Sequence, residues 1–188
     1  MTGIILLWNV TEEQLEQLFQ EAPDSEDAWI GVPAVIREGV EVVGIQFVRT
    51  RFLMFFEELN SIFDGDEELA RESADAWAGY HPEYPNRLVK FIRADVTDPE
   101  TMFDPDSWRL PSPRQIFQFG RLLLDAVLVH AALLPDVKVY IYKPERPGLE
   151  SFYNRIFNKN QEACRNAGFT PIVEIDVEEG GFYGYQRN

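Results

Sequence analysis

The sequence predicts a mixed α/β fold of the α+β kind, a mixed central sheet with helices on its faces. Three observations predict it. Short apolar runs bounded by turn residues alternate with segments of helical spacing. In the second half, strand–helix–strand units repeat, an order that packs helices against a sheet. The composition, 45% hydrophobic with 13% aromatic residues, is rich enough to fill such a core. The 188 residues fit one domain, 1–188, with a helical insertion expected at 52–78.

The elements follow in order. "GIILLWNV" (3–10) is a short apolar run and reads as a buried strand. Thr11, with Gln14 three residues on, is a capping-box pattern opening the helix "TEEQLEQLFQEA". "PDSEDA" is an acidic loop. "WIGVPAVIREGVEVVGIQFVRT" reads as two strands turned by "REG", with Pro33 marking an edge or a bulge. "FLMFFEELNSIF" (52–63) returns to helical spacing, with Phe52, Phe55, Phe56, Leu59 and Phe63 on one face. Asp66 caps a second helix. "RLVKFIRADV" (87–96) is a strand, and a proline-rich segment leads to a long helix at 113–133, apolar nearly all round. A strand at 137–143, a helix at 148–166, a strand at 169–177 and a last strand at 182–187 complete the chain.

The formal charge of −15 is unevenly placed. Residues 1–112 hold 23 Asp and Glu against 8 Lys and Arg, whereas 113–188 hold 9 of each. Direct binding to a nucleic-acid backbone through the first part is repulsive. The acidity serves solubility, or it forms a face for a basic protein or a cationic small molecule. The clusters at Asp24, Glu26 and Asp27 and at Glu67, Glu68, Glu72 and Asp75 carry it. No apolar run reaches ~18 residues without a charge, so no membrane span is expected. The N-terminus lacks a basic region and a cleavage site, and the expected location is cytoplasmic. The lone Cys164 excludes an internal disulfide and a multi-cysteine zinc site. His81 and His130 read as structural, and "DGDEE" lacks the spacing of a calcium loop, so no metal is expected.

"SPRQIFQFGRLLLDAVL" (112–128) carries two readings. Ser112, Pro113 and Gln115 supply an N-cap, a proline at the first helical position and a capping-box glutamine. If the helix begins there, the following N–H groups bond within it. The other reading begins from "GRLLLDAVL", which resembles the "G-R-x-L-L-x-x-L" text of the GNAT acyltransferase superfamily. "PDVKVYIYK" is similar to that family's next strand, and "NAGFTPIVEID" to its ending into a closing hairpin. The resemblance covers roughly 87–188. It implies a GNAT-like fold and an acyl-coenzyme A-dependent N-acyltransferase, with acetyl-coenzyme A or another acyl-coenzyme A as cofactor. The family motif Gln/Arg-x-x-Gly-x-Gly/Ala falls on Gln115, Gln118 and Gly120, so glutamine stands where the family has its middle glycine. That glycine lets the backbone approach a phosphate with no Cβ in the way. Arg114 and Arg121 are the basic residues beside this motif.

The same resemblance implies catalytic roles. Asp95, near the end of the 87–96 strand, matches a carboxylate acting through water as general base. Cys164 stands four residues before Gly168, where the family commonly has the tyrosine acid, and Tyr153 lies earlier in the same helix. A buried filler role is the alternative for Cys164, and a core role for Tyr153. Tyr80, His81, Tyr84 and Trp108 are candidates to line an aromatic loop pocket. Two functions follow: an N-acyltransferase on an amine acceptor, or a non-catalytic acidic interaction module such as an inhibitor, immunity or adaptor protein.

Overall fold

A computed structural model describes residues 10–59, 84–96, 110, 112–142, 147–172 and 183–187. It is a mixed α+β structure whose hydrogen-bonded strand order is β1-β3-β4-β5-β6-β8-β7, with β2 also paired to β3. The strands are β1 (Trp29–Ile30), β2 (Ala34–Arg37), β3 (Val40–Phe47), β4 (Thr50–Glu57), β5 (Asn86–Arg93), β6 (Val139–Tyr142), β7 (Phe169–Ile172) and β8 (Tyr183–Arg187). The helices are α1 (Glu12–Leu18), α2 (Pro113–Leu133), α3 (Pro147–Lys159) and α4 (Gln161–Asn166). The chain divides into two compact units, 1–55 with 91–130, and 56–90 with 131–188.

The first unit is built around β3, all eight residues of which are buried. Alternate side chains serve its two faces. Val40 and Val42 join Leu18 and Phe19 at the end of α1, with Leu53, Phe55 and Ile92. Phe47, on the opposite face, meets Phe119 of α2 at 5.6 Å between ring centroids, and Phe52 and Phe91 meet the same ring at 4.8 and 5.9 Å. Helix α1 begins with the expected box: the Gln14 N–H donates to Thr11 Oγ1 (3.1 Å) and the Thr11 N–H to Gln14 Oε1 (2.9 Å). Such a cap contributes about 1 kcal/mol. The helix ends close against β3, where a Cβ on Gly44 would lie 2.9 Å from the Leu18 carbonyl oxygen. Glycine is needed at that point to let the helix end approach. Gln46 ties the acidic loop down, its Nε2 donating to the carbonyls of Pro23 (2.7 Å) and Ser25 (3.2 Å).

Where two strands were expected from 29 to 50, there are three. Pro33 falls between β1 and β2, and both pair antiparallel with β3, Trp29 opposite Gln46 and Ala34 opposite Val42. A bulge between Val35 and Arg37 shifts the register, as the proline signal implied for this edge. The expected helix at 52–63 is corrected: Thr50–Glu57 is strand β4, with six consecutive buried residues from Phe52. A strand covered on both faces loses its alternation, and "FLMFFE" then satisfies helical spacing equally well. Residues 60–78, the rest of the expected helical insertion, lie outside the described residues, as does the strand expected at 3–9.

In the second unit, β5 runs parallel to β6, with Asn86 opposite Val139 and Val89 opposite Tyr142. β8 then pairs antiparallel with β6, and β7 with β8, closing the hairpin expected at the end of the chain. The 113–133 helix is found at the predicted residues as α2. The helix expected at 148–166 is two, α3 and α4, parted at Asn160, whose side chain donates to the Ile156 carbonyl (2.7 Å). Gly168, at φ +81, follows α4 and turns the chain into β7 in a conformation that side chains resist.

Candidate functional site

The start of α2 was the position on which enzyme and binding module divided. Ser112 caps it. Its Oγ accepts the Gln115 N–H at 3.3 Å, and its carbonyl accepts the Ile116 N–H at 3.2 Å. The helix is regular from Pro113, so Gln118 and Gly120 lie in its second and third turns. Their N–H groups stand beyond the first turn and bond within the helix. Arg114, Gln118 and Arg121 are exposed, Gln115 is half-buried and Gly120 is buried. Arg114, Gln118 and Arg121, spaced four and seven apart, form an exposed stripe about 10 Å long. Arg121 pairs with Asp125 along it, Nε to Oδ1 at 2.9 Å. The five residues expected as a phosphate cradle, Arg114, Gln115, Gln118, Gly120 and Arg121, therefore lie on a capped helix.

Asp95 sits in the turn after β5. The Arg93 guanidinium grips it with two nitrogens, Nε at 2.9 Å from Oδ1 and Nη2 on Oδ2. The Asp95 side chain is 61% exposed. Both carboxylate oxygens of Asp95 are thus engaged by Arg93.

Tyr153 and Cys164 are brought together in the second unit. Tyr142 is their common neighbour: its ring lies 5.7 Å from Tyr153 and 5.4 Å from Phe157. Phe157 in turn stacks on Tyr185 at 4.0 Å. Burial, then the neighbouring Tyr185, Tyr153, Tyr140 and Cys164, pushes the Tyr142 hydroxyl well above the usual tyrosine range. Burial and Cys164 push Tyr185 up in the same way. These phenols hold their protons at neutral pH, so the cluster offers donors and no base. Cys164 is buried, which keeps its thiol from a substrate in solution. Tyr142 and Tyr185 were not singled out from the sequence. For Tyr142 the signal was present in "VYIY", where tyrosines two apart share one face of a strand.

A different feature emerges in the first unit. A groove of about 270 Å³ runs between α1 and the β1–β2 edge. Gln14, Gln17 and Glu21 form its helical wall, and Trp29, Val32 and Val35 lie on the strand side. Val32 and Val35 are 67% and 71% exposed. Glu21 in its lining and Glu12, Glu13 and Glu16 on α1 are exposed, as are Asp24, Glu26, Asp27 and Glu38 elsewhere in the same stretch of chain. Arg37 is the only Lys or Arg in residues 1–48. The first expected acidic cluster, Asp24, Glu26 and Asp27, lies in the loop between α1 and β1, outside the groove lining, and its Glu26 pairs with Arg49 at 3.5 Å. The second, at Glu67–Asp75, lies outside the described residues, and so do Tyr80, His81 and Trp108 of the expected aromatic pocket. Tyr84 is 40% exposed.

Among the described residues, no group of three His, Cys, Asp or Glu is placed to hold a metal. One described helix, α2, is long and apolar enough by length and composition to cross a membrane. It carries Arg121 and Asp125 and packs Phe119, Leu122, Leu123, Leu124, Val127 and Ala131 inward, as the core helix of a folded domain does. No family model matches the chain, and neither a curated protein nor a solved structure matches it.

Proposed function

We propose that this chain is a non-catalytic acidic interaction module on a GNAT-like fold, one that binds a basic protein as an inhibitor, immunity or adaptor protein would. One observation carries this over the enzyme reading: α2 is a regular, side-chain-capped helix from Pro113. The Gln115 N–H is taken by Ser112 Oγ and the N–H groups beyond the first turn bond to helix carbonyls, which leaves few donors there for the pyrophosphate of an acyl-coenzyme A. The acidic first half supplies the complementary field for a basic partner.

A second reading, an acyl-coenzyme A-dependent N-acyltransferase, draws support from the strand order. The run β5–α2–β6–α3/α4–β7–β8, with its closing hairpin, is the order that the family resemblance implies. In that reading Asp95 is the base, and Tyr153 or Cys164 the acid.

Thermal shift and calorimetry with millimolar acetyl-coenzyme A separate the two. The interaction module gives no heat and no shift. Micromolar binding that is lost in Arg114→Glu, at an exposed position, replaces it with the acyltransferase.

A further inference from the structure

We propose that the groove between α1 and the β1–β2 edge docks an extended segment of a partner protein in which basic and apolar side chains alternate. The inference rests on the interaction-module reading and assigns that module its site. The groove has an apolar floor, since Leu18 belongs to the core and Trp29 and Ile36 pack against it. Two valines stand open at its lip, Val32 and Val35, where burial by a partner returns the most free energy per side chain. Gln14, Gln17 and Gln20 offer neutral amides, donors and acceptors both, to a peptide main chain.

Charge selects the occupant. Glu21 lines the groove, and Glu12, Glu13 and Glu16 are exposed on the helix that forms its wall, while no Lys or Arg is among its described lining residues. On α1, Glu13 lies one turn before Gln17, and Glu21 follows the helix within the groove lining, so carboxylates stand at both ends of the helical wall. An acidic segment is repelled and a purely apolar one leaves the rim unused. A volume of about 270 Å³ takes a few side chains, the number that one face of a short extended segment presents. Pro33 has no N–H and interrupts the β1–β2 edge, so long strand addition is blunted there. Recognition then falls to alternate side chains, apolar ones down into the groove and basic ones out to the rim.

The test uses the full chain and a synthetic peptide of about eight residues alternating Lys and Leu, roughly 25 Å when extended. Amide chemical-shift mapping should place saturable changes on residues 13–21 and 29–36. Val32→Ser with Val35→Ser should weaken binding by about tenfold while leaving the fold intact, since both positions are exposed. Glu16→Lys with Glu21→Lys should weaken it and flatten its dependence on salt between about 20 and 150 mM. Equal binding of a Lys–Ser peptide, shifts confined elsewhere, or no saturable binding overturns the groove as the site. None of those results touches the interaction-module reading, which fails instead if acetyl-coenzyme A binds.

Discussion

In the first unit the conspicuous buried polar groups are Glu41 and His130, one on β3 and one on α2, with Oε2 and Nε2 3.4 Å apart. In the second, besides Glu57 and Asn86, they are tyrosine hydroxyls, on Tyr140 and Tyr142, set among Phe56, Phe157 and Phe169. An acid and a base can both carry charge at neutral pH, so the first unit depends on two partners being present together. Phenols stay neutral until the solution is strongly alkaline, and they add polar atoms to an aromatic core without adding charge. The difference teaches where each half is vulnerable: the first to loss of one partner, the second to alkali.

The sharpest way to break the contrast is to remove one partner. His130→Leu leaves the Glu41 carboxyl buried without the imidazole and should lower stability by about 3 kcal/mol, the low end for a broken buried pair because 3.4 Å is a long contact. Glu41→Met combined with His130→Leu leaves neither group and should cost markedly less. Urea unfolding of the two variants measures this. Equal losses would mean that the two residues are buried side by side without depending on each other.

Alkali probes the second unit. In the unfolded chain tyrosines lose protons from about pH 10, whereas Tyr142 and Tyr185 keep theirs in the folded chain. Above that pH the unfolded state binds fewer protons, so stability falls as pH rises, and below it these two groups contribute no slope. Urea midpoints measured from about pH 9 to 11 should drop, and Tyr142→Phe with Tyr185→Phe should flatten the drop. An undiminished fall in that variant would remove these hydroxyls from the explanation.

The smallest effect concerns the turn joining β3 to β4. Val48 and Arg49 both have positive φ, 47° and 62°, as a two-residue hairpin loop of the I′ type requires. Valine is strained there, and asparagine followed by glycine suits the same geometry. Val48→Asn with Arg49→Gly should raise stability by about 1 kcal/mol, after loss of an exposed Arg49–Glu26 contact that is worth little. A rise in thermal midpoint checks it.

That turn also shows why part of the fold was illegible. The hairpin β3–β4 lacks the Asn-Gly signal, and β4 lacks alternation, so Phe52 through Glu57 passed for a helix. Elements announced by local chemistry were legible. Thr11 with Gln14 fixed the start of α1, and Ser112 with Pro113 that of α2. Asn160, which parts α3 from α4, is a weak helix former that caps helices well, a signal submerged in the helical spacing on either side. For function, the charge asymmetry was visible as composition, and with it the acidic loop at Asp24–Asp27. The groove was not, because Trp29, Val32 and Val35 become a lip only when α1 packs beside them. Tyr153 and Cys164 stood out in the sequence, yet their meeting point, Tyr142, is a property of strand register.

The parallel pairing of β5 with β6 has a consequence for synthesis on the ribosome. The first unit is complete once residue 130 has emerged, since it draws on 1–55 and 91–130. The second draws on 56–90 and then waits for 131–188, which supply β6, β7, β8, α3 and α4. At about 5–20 residues per second that interval lasts seconds, long against the microseconds in which hairpins close. The Asn86–Val89 half of β5 has no β6 to pair with until residue 142 has been made. A nascent chain therefore carries a bare strand edge while residues 94–142 are added, and slowing or stalling that stretch should favour wrong pairings over the native sheet.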